Sequence, residues 1–184
     1  AAYLSWVLGA SSSINRAKIT SDPAAVYPSP AVTVTIAGPT GAVAPAVVTA
    51  ADTAVQGSST VARRALGHKV LVQSAGSTAY VLKGDVTVRA ASRVAAEAAV
   101  SAILTDYFAG RSVVVNGESV PGLQIGDTVR VSVLIELVMS VPGIVSFVPR
   151  DGVGAIRIPG TGDVAISATN VATLTWAPSV WTEV

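Results

Sequence analysis

GDTVRVSVLIELVMSVPGIVSF, Gly126 to Phe147, is the stretch on which the fold turns. Its only charges are Asp127 and Arg130 near the start and Glu136 in the middle, and valine, isoleucine and leucine dominate the rest. Three structures compete for it: a membrane span, a buried strand, or a helix that passes through Pro142-Gly143 into a strand. Val131, Leu134, Ile135 and Val138 follow the 3.6-residue period of a helix, while Val129, Val131, Val133, Ile135 and Leu137 follow a period of two equally well. Length decides for the helix, because about twelve residues exceed the five or six of a typical strand. Asp127 stands where an N-cap would stand. Pro142-Gly143 then forces a turn, and IVSFVP begins a strand. A membrane span does not fit, since the uninterrupted apolar core is shorter than the ~20 residues required.

The rest of the chain gives no better span. Residues 23 to 51 carry no formal charge, but Pro23, Pro28, Pro30, Gly38, Pro39, Gly41 and Pro45 interrupt them, and lipid does not tolerate so many lost backbone hydrogen bonds. AAYLSWVLGASSS at the N-terminus has no basic leader, so no signal peptide is expected. With 184 residues there is room for one domain or two small ones. Charged residues make up 12%, about half of the usual ~25%. Hydrophobic residues make up 51%. Such a surface suits a chain covered by other chains, and also suits an Ala- and Val-rich composition from a high-GC genome. Twelve basic and eleven acidic residues give a net charge of +1 with no run of like charge, which argues against a nucleic-acid partner. The chain has no cysteine, so disulfides and thiolate metal sites are excluded.

Along the chain, AAYLSWVL reads as a helix stopped by Gly9. SINRAKIT reads as a strand with Ile14, Arg16, Lys18 and Thr20 on one side. A Pro-rich link, SDPAAVYPSP, leads to the alternating strand AVTVTIAGP. Pro45 suits the first turn of a helix over 45–56 with Val47, Val48, Ala51 and Val55 on its apolar face, ended by Gly57. GHKVLVQSA is a further strand. Thr78 to Ala90 reads as a long strand, or as a bulged one with Gly84 as the bulge. Ser92 is placed to cap a helix running to about Ala109, whose stripe is Ala96, Val100, Ile103 and Tyr107 with Leu104 and Phe108 beside it. Asn116-Gly117 predicts a tight hairpin. DVAIS and VATLTW close the chain as two short strands joined near Thr169-Asn170, followed by the frayed tail PSVWTEV. The class expected is α+β, in two sequential small modules, residues 1–76 and 77–184.

The ordered residues G-D-T-V-x-V-S-x-L-I-x-L, then P-G-I-x-x-F, resemble the C-terminal part of the baseplate J-like family, the wedge proteins of contractile phage tails and related injection particles. Ser132, Leu134, Ile135, Pro142, Gly143 and Ile144 hold the matching places. DVAIS...NVATLTW resembles the family's closing strands. YLSWVLGASSSINRAKI, PAVTVTIAGPTGAVAPAVVTAADTAV and ARRALGHKVLVQSAG resemble its helix–strand, strand–turn–helix and closing strand of the middle domain. Arg64-Ala65-Leu66 stands where the family often has Arg-Pro-Leu. The resemblance implies a structural baseplate part without enzymatic activity and without a small-molecule substrate. Its implied partners are copies of itself, other wedge proteins, and hub, tube and sheath proteins, in a virion tail baseplate or extracellular tail-like particle. It also implies an N-terminal portion beyond these residues.

No catalytic, cofactor or metal site is expected. His68 is the only histidine. A Ser–His–Asp triad would need it, yet no G-x-S-x-G elbow is present, and a lone His beside Lys69 suits an exposed strand start. GVGAIRIPGTGD lacks the G-K-[ST] of a phosphate loop. Asp106, Asp127, Asp151 and Asp163 read as a helix-surface charge, a cap and turn residues. Arg63 and Arg64 read as a solvated loop pair. Trp6 and Trp176 suit a core, and Trp181 is the better interface anchor of the three. Two other classes compete with the assembly part. A virion surface or carbohydrate-binding module would need a shallow aromatic-lined site, and a cell-wall hydrolase would need paired carboxylates or a His-centred site.

Overall fold

The computed structural model describes residues 2–21, 32–57, 69–150, 163–178 and 180–184. Among them four α-helices and eleven strands in small mixed sheets make an α+β fold.

In the first part, α1 (Ala2–Leu8) precedes β1 (Arg16–Ser21), β2 (Val32–Ala37), α2 (Pro45–Gln56) and β3 (Val70–Ser74). The sheet order is β1-β2-β3, with β1 antiparallel to β2 and β2 parallel to β3. A parallel neighbour requires a crossover, and α2 lies between β2 and β3 in the chain. Pro45 occupies the first turn of α2, where its missing N–H costs nothing. Gly57 closes the helix with φ of 82°, a left-handed value that glycine reaches without a Cβ penalty. Val7, Ile14, Val34, Ile36, Ala51, Val55, Val70 and Val72 form the core between the helices and the sheet. Strict alternation in β2 gives way at Val34–Ala37, where four consecutive residues are buried. Ala37 there belongs to a separate cluster with Ala75, Ile125 and Val171, which reaches into the other half of the chain.

The second part is organised by β4 (Gly76–Val88), a strand of 13 residues. β10 (Asn170–Trp176) runs parallel along its first half. β11 (Val180–Glu183), also parallel, and β8 (Ile144–Arg150), antiparallel, pair with its second half. α3 (Arg93–Phe108) and α4 (Val131–Met139) pack on one face of this sheet. Tyr80, Leu82, Val86 and Val88 meet Ala96, Val100, Leu104, Leu134, Leu137 and Val138 there. β5 (Val113–Val115) and β6 (Glu118–Val120) form the hairpin expected at Asn116-Gly117. Both turn residues have positive φ, 51° and 86°, as a two-residue I′ turn demands. β7 (Thr128–Val129) pairs with β9 (Val164–Ala165).

Gly126–Phe147 is thus a helix, a Pro-Gly turn and a strand. α4 buries Val131, Leu134, Leu137 and Val138, and Gly143 turns the chain into β8 with φ of 93°. Several local expectations are corrected. Asp127 does not cap α4, which starts at Val131 after the extended Arg130. The Asp127 carboxylate instead accepts the Gln124 N–H at 2.8 Å. Ser92 stands at the N-cap of α3 but makes no side-chain capping bond. A 3₁₀ turn, Ala90–Ser92, already leads into that helix. Gly84 is not a bulge, because the register of β4 against β8 shifts between Thr87 and Val88. What Gly84 provides is space: a Cβ there would lie 2.2 Å from Cε2 of Phe147. DVAIS and VATLTW do not pair with each other, since β9 joins β7 and β10 joins β4. The tail is not frayed either. Val180–Glu183 is a strand.

Candidate functional site

The two halves meet along β1. Ile14 and Arg16 fall on the buried side, 5% and 2% exposed. Ile14 fills the first core. Arg16 extends into the junction and donates to three backbone carbonyls: Nη1 to Phe108 at 2.9 Å and Leu123 at 3.2 Å, Nη2 to Gly38 at 2.5 Å. Its neighbours repeat the theme. Asn15 Nδ2 donates to Ala109 O at 2.6 Å, and Lys18 Nζ to Ile125 O at 3.2 Å. Phe108 and Ala109 end α3, where the helix dipole favours a cation. Burial lowers the pKa of Arg16 from its ordinary value, and its Nε is buried without a partner among the described residues. Gly110, at φ of +80°, lies so close that a Cβ would sit 2.4 Å from Arg16 Cδ. This arrangement is a structural clamp made of cations on carbonyls. It contains no nucleophile and no acid–base pair.

The second surface lies on the sheet around β4. Buried and half-buried residues alternate strictly from Tyr80 to Val88, so one face meets α3 and α4 and the other does not. On that other face Asp85 lies between Val148 of β8 and Val180 of β11. The two valines are 55% and 52% exposed. Thr87 lies likewise between Ser146 and Thr182. Asp85 Oδ2 is paired with Arg150, while Oδ1 is buried without a partner among the described residues. The result is a face of valine, threonine and serine crossed by one ion pair.

The residues singled out by sequence are scattered. Asp106 pairs with Arg111 at 2.7 Å on the surface. Asp127 belongs to the turn before α4, and Asp163 is exposed ahead of β9. His68, Arg63, Arg64, Asp151 and the glycine-containing run at 152–162 lie outside the described residues. Among the described residues no three His, Cys, Asp or Glu side chains are grouped to hold a metal ion, and no helix is long and apolar enough to cross a membrane. Trp6 is half-buried, edge-on to Tyr3 at 5.5 Å. Trp176 packs on the main core and meets Phe147 at 5.7 Å. Trp181 also packs on that core, with its indole N–H buried and without a partner among the described residues. Exposed apolar side chains of the sheet include Val148 of β8 and Val180 of β11. The sequence signal for the clamp was Arg16 itself, a cation in line with Ile14. No protein-family model and no curated protein matches the chain.

Proposed function

We propose that this chain is a structural baseplate wedge component of a contractile tail or tail-like particle, and that it works by docking. Copies associate with each other and with further wedge subunits around a hub, and couple fibre attachment to sheath contraction. The particle class is supported by the ordered resemblance that runs from Tyr3 to Trp176. The docking role is supported by one structural observation: among the described residues no helix covers this face of β8, β4 and β11. It presents Val148 and Val180 in a chain with only 12% charged residues. Exposed apolar surface rimmed by polar residues marks interaction sites. The clamp at Arg16 supports movement of the two halves as one rigid body about intermolecular interfaces.

The test is to purify particles from the source, image them by negative-stain electron microscopy and identify what co-purifies by mass spectrometry. The chain is expected with sheath and tube proteins in tailed particles. A paired substitution, Val148→Lys with Val180→Lys, should leave the fold intact and remove the chain from those particles. Recovery of the chain alone in a soluble fraction would overturn the assignment.

A further inference from the structure

A cleft of about 700 Å³ opens between the end of α3, the loop from Val120 to Thr128 and the first turn of α4. That volume falls in the range of small-ligand sites, roughly 300–1,000 Å³. Its apolar lining includes Leu123 and Val133, and its polar lining includes Tyr107, Gln124, Asp127 and Arg130. We propose that this cleft binds a carboxylate carried on a small apolar body. The inference does not rest on the wedge assignment.

Two side-chain donors that line the cleft have no partner among the described residues. Tyr107 is 5% exposed, and among the described residues its hydroxyl has no hydrogen-bond partner. The ring is buried while the hydroxyl itself stays within reach of solvent. Arg130 is exposed and makes no ion pair or side-chain hydrogen bond among the described residues. The acidic group nearest in sequence, Asp127, spends its Oδ2 on the Gln124 N–H. The wall formed by Arg130 and Val133 is the start of α4, a helix without a side-chain cap. The N–H groups of Val131, Ser132 and Val133 have no backbone acceptor among the described residues. Such a helix start carries partial positive charge. An acidic ligand supplies the missing acceptors.

Charge and shape narrow the class. A guanidinium meets the two oxygens of a carboxylate in a planar fork. One cation beside Asp127 suits a single negative charge better than a doubly charged phosphate, and Leu123 and Val133 suit an apolar body. Burial raises the pKa of Tyr107, Asp127 raises it further and Arg130 opposes them, so the phenol remains a donor at neutral pH. Two sources carry this chemistry, a free carboxylic acid and an acidic side chain of a protein partner.

The experiment is a titration of the full chain, followed by calorimetry and by heteronuclear NMR of the Tyr107 and Arg130 signals. The probes are isovalerate, its neutral analogue isovaleramide, and a capped dipeptide of valine and glutamate. Isovalerate or the dipeptide should shift both residues, and isovaleramide should not. Tighter binding of the dipeptide assigns the site to a protein partner, and tighter binding of isovalerate assigns it to a free acid. Arg130→Gln should weaken binding about tenfold, and Tyr107→Phe about threefold or more, as expected for lost charge-assisted bonds. Asp127→Asn, which removes the opposing charge, should tighten it. Equal binding of acid and amide, no binding of either acid, or an Arg130→Gln variant with unchanged affinity would overturn the proposal.

Discussion

Arg16→Met removes the clamp while keeping much of the side-chain volume. Phe108 O and Leu123 O accept hydrogen bonds from Arg16, whereas Gly38 O also accepts the Gly41 N–H at 3.2 Å. The substitution therefore orphans two buried carbonyls, at about 1–3 kcal/mol each. Relief from burying a guanidinium that has no carboxylate partner offsets part of that cost. A net loss of about 2–4 kcal/mol is expected. Arg16→Lys keeps the charge but cannot fork across both carbonyls, so about half of that loss should remain. The assay is urea denaturation monitored by tryptophan fluorescence, with Trp6 reporting on one half and Trp176 and Trp181 on the other. Hydrogen exchange adds a local readout. The Leu123 N–H, bonded to Tyr107 O at 2.9 Å, should exchange faster in the Met variant. A loss below about 0.5 kcal/mol, the level of an ordinary surface change, with Leu123 protection intact would refute the clamp.

Gly84→Ala should cost about 1–3 kcal/mol by overpacking, because the new methyl would meet the Phe147 ring at 2.2 Å and the Val148 carbonyl at 2.8 Å; thermal unfolding checks it. Gly117→Ala tests backbone strain instead of space, since nothing lies within 4 Å of that position but its φ is +86°; a loss of about 1 kcal/mol is expected. Ser92→Ala should change stability by less than about 0.5 kcal/mol, well short of the ~1 kcal/mol of a true cap, because Ser92 makes no capping bond. The pH dependence follows from Tyr107 and Tyr80, both held above the ordinary phenol pKa of 10.0 by burial. A folded-state pKa above the unfolded one means that the native state binds the proton more tightly. Stability is therefore full below pH 10 and falls as pH rises past it. Tyr107→Phe should flatten that fall in urea titrations carried out on either side of about pH 10.

Local chemistry made the helices legible. Pro45 and Gly57 bracket α2, Gly9 follows α1, and Pro142-Gly143 separates α4 from β8. Each signal acts within a few residues, and so does the Asn116-Gly117 turn. The errors arose where two local meanings were available and a distant residue chose between them. Glycine within a strand signals either a bulge or a close approach; at Gly84 the choice was made by Phe147, which belongs to a strand beyond two helices. An acidic residue ahead of a helix is a cap or a turn residue, and Asp127 turned back to Gln124. PSVWTEV looked like a loose end because its partner, the second half of β4, is far away in sequence.

The same limit explains why the candidate sites were not read from the sequence. Arg16 and Phe108 are separated by 92 positions and Arg16 and Leu123 by 107, so no window of sequence contains the clamp. Tyr107 was placed correctly on the apolar stripe of its helix, and the stripe hid its hydroxyl, which only the loop after Val120 and the start of α4 turn into part of a cleft. Periodicity reports which side of an element is buried. It does not report whether a polar atom on that side has found a partner. Buried polar atoms are normally paired, so an unpaired one marks a place where something else is meant to bind or where the fold carries a cost. Arg16 and Tyr107 differ in this respect: the guanidinium spends itself on carbonyls within the chain, while the Tyr107 ring is buried and its hydroxyl reaches solvent at a cleft that Arg130 also lines. The first should respond to substitution in stability and the second in binding. Arg16→Met and Tyr107→Phe, measured side by side in both assays, should give opposite patterns if this division is correct.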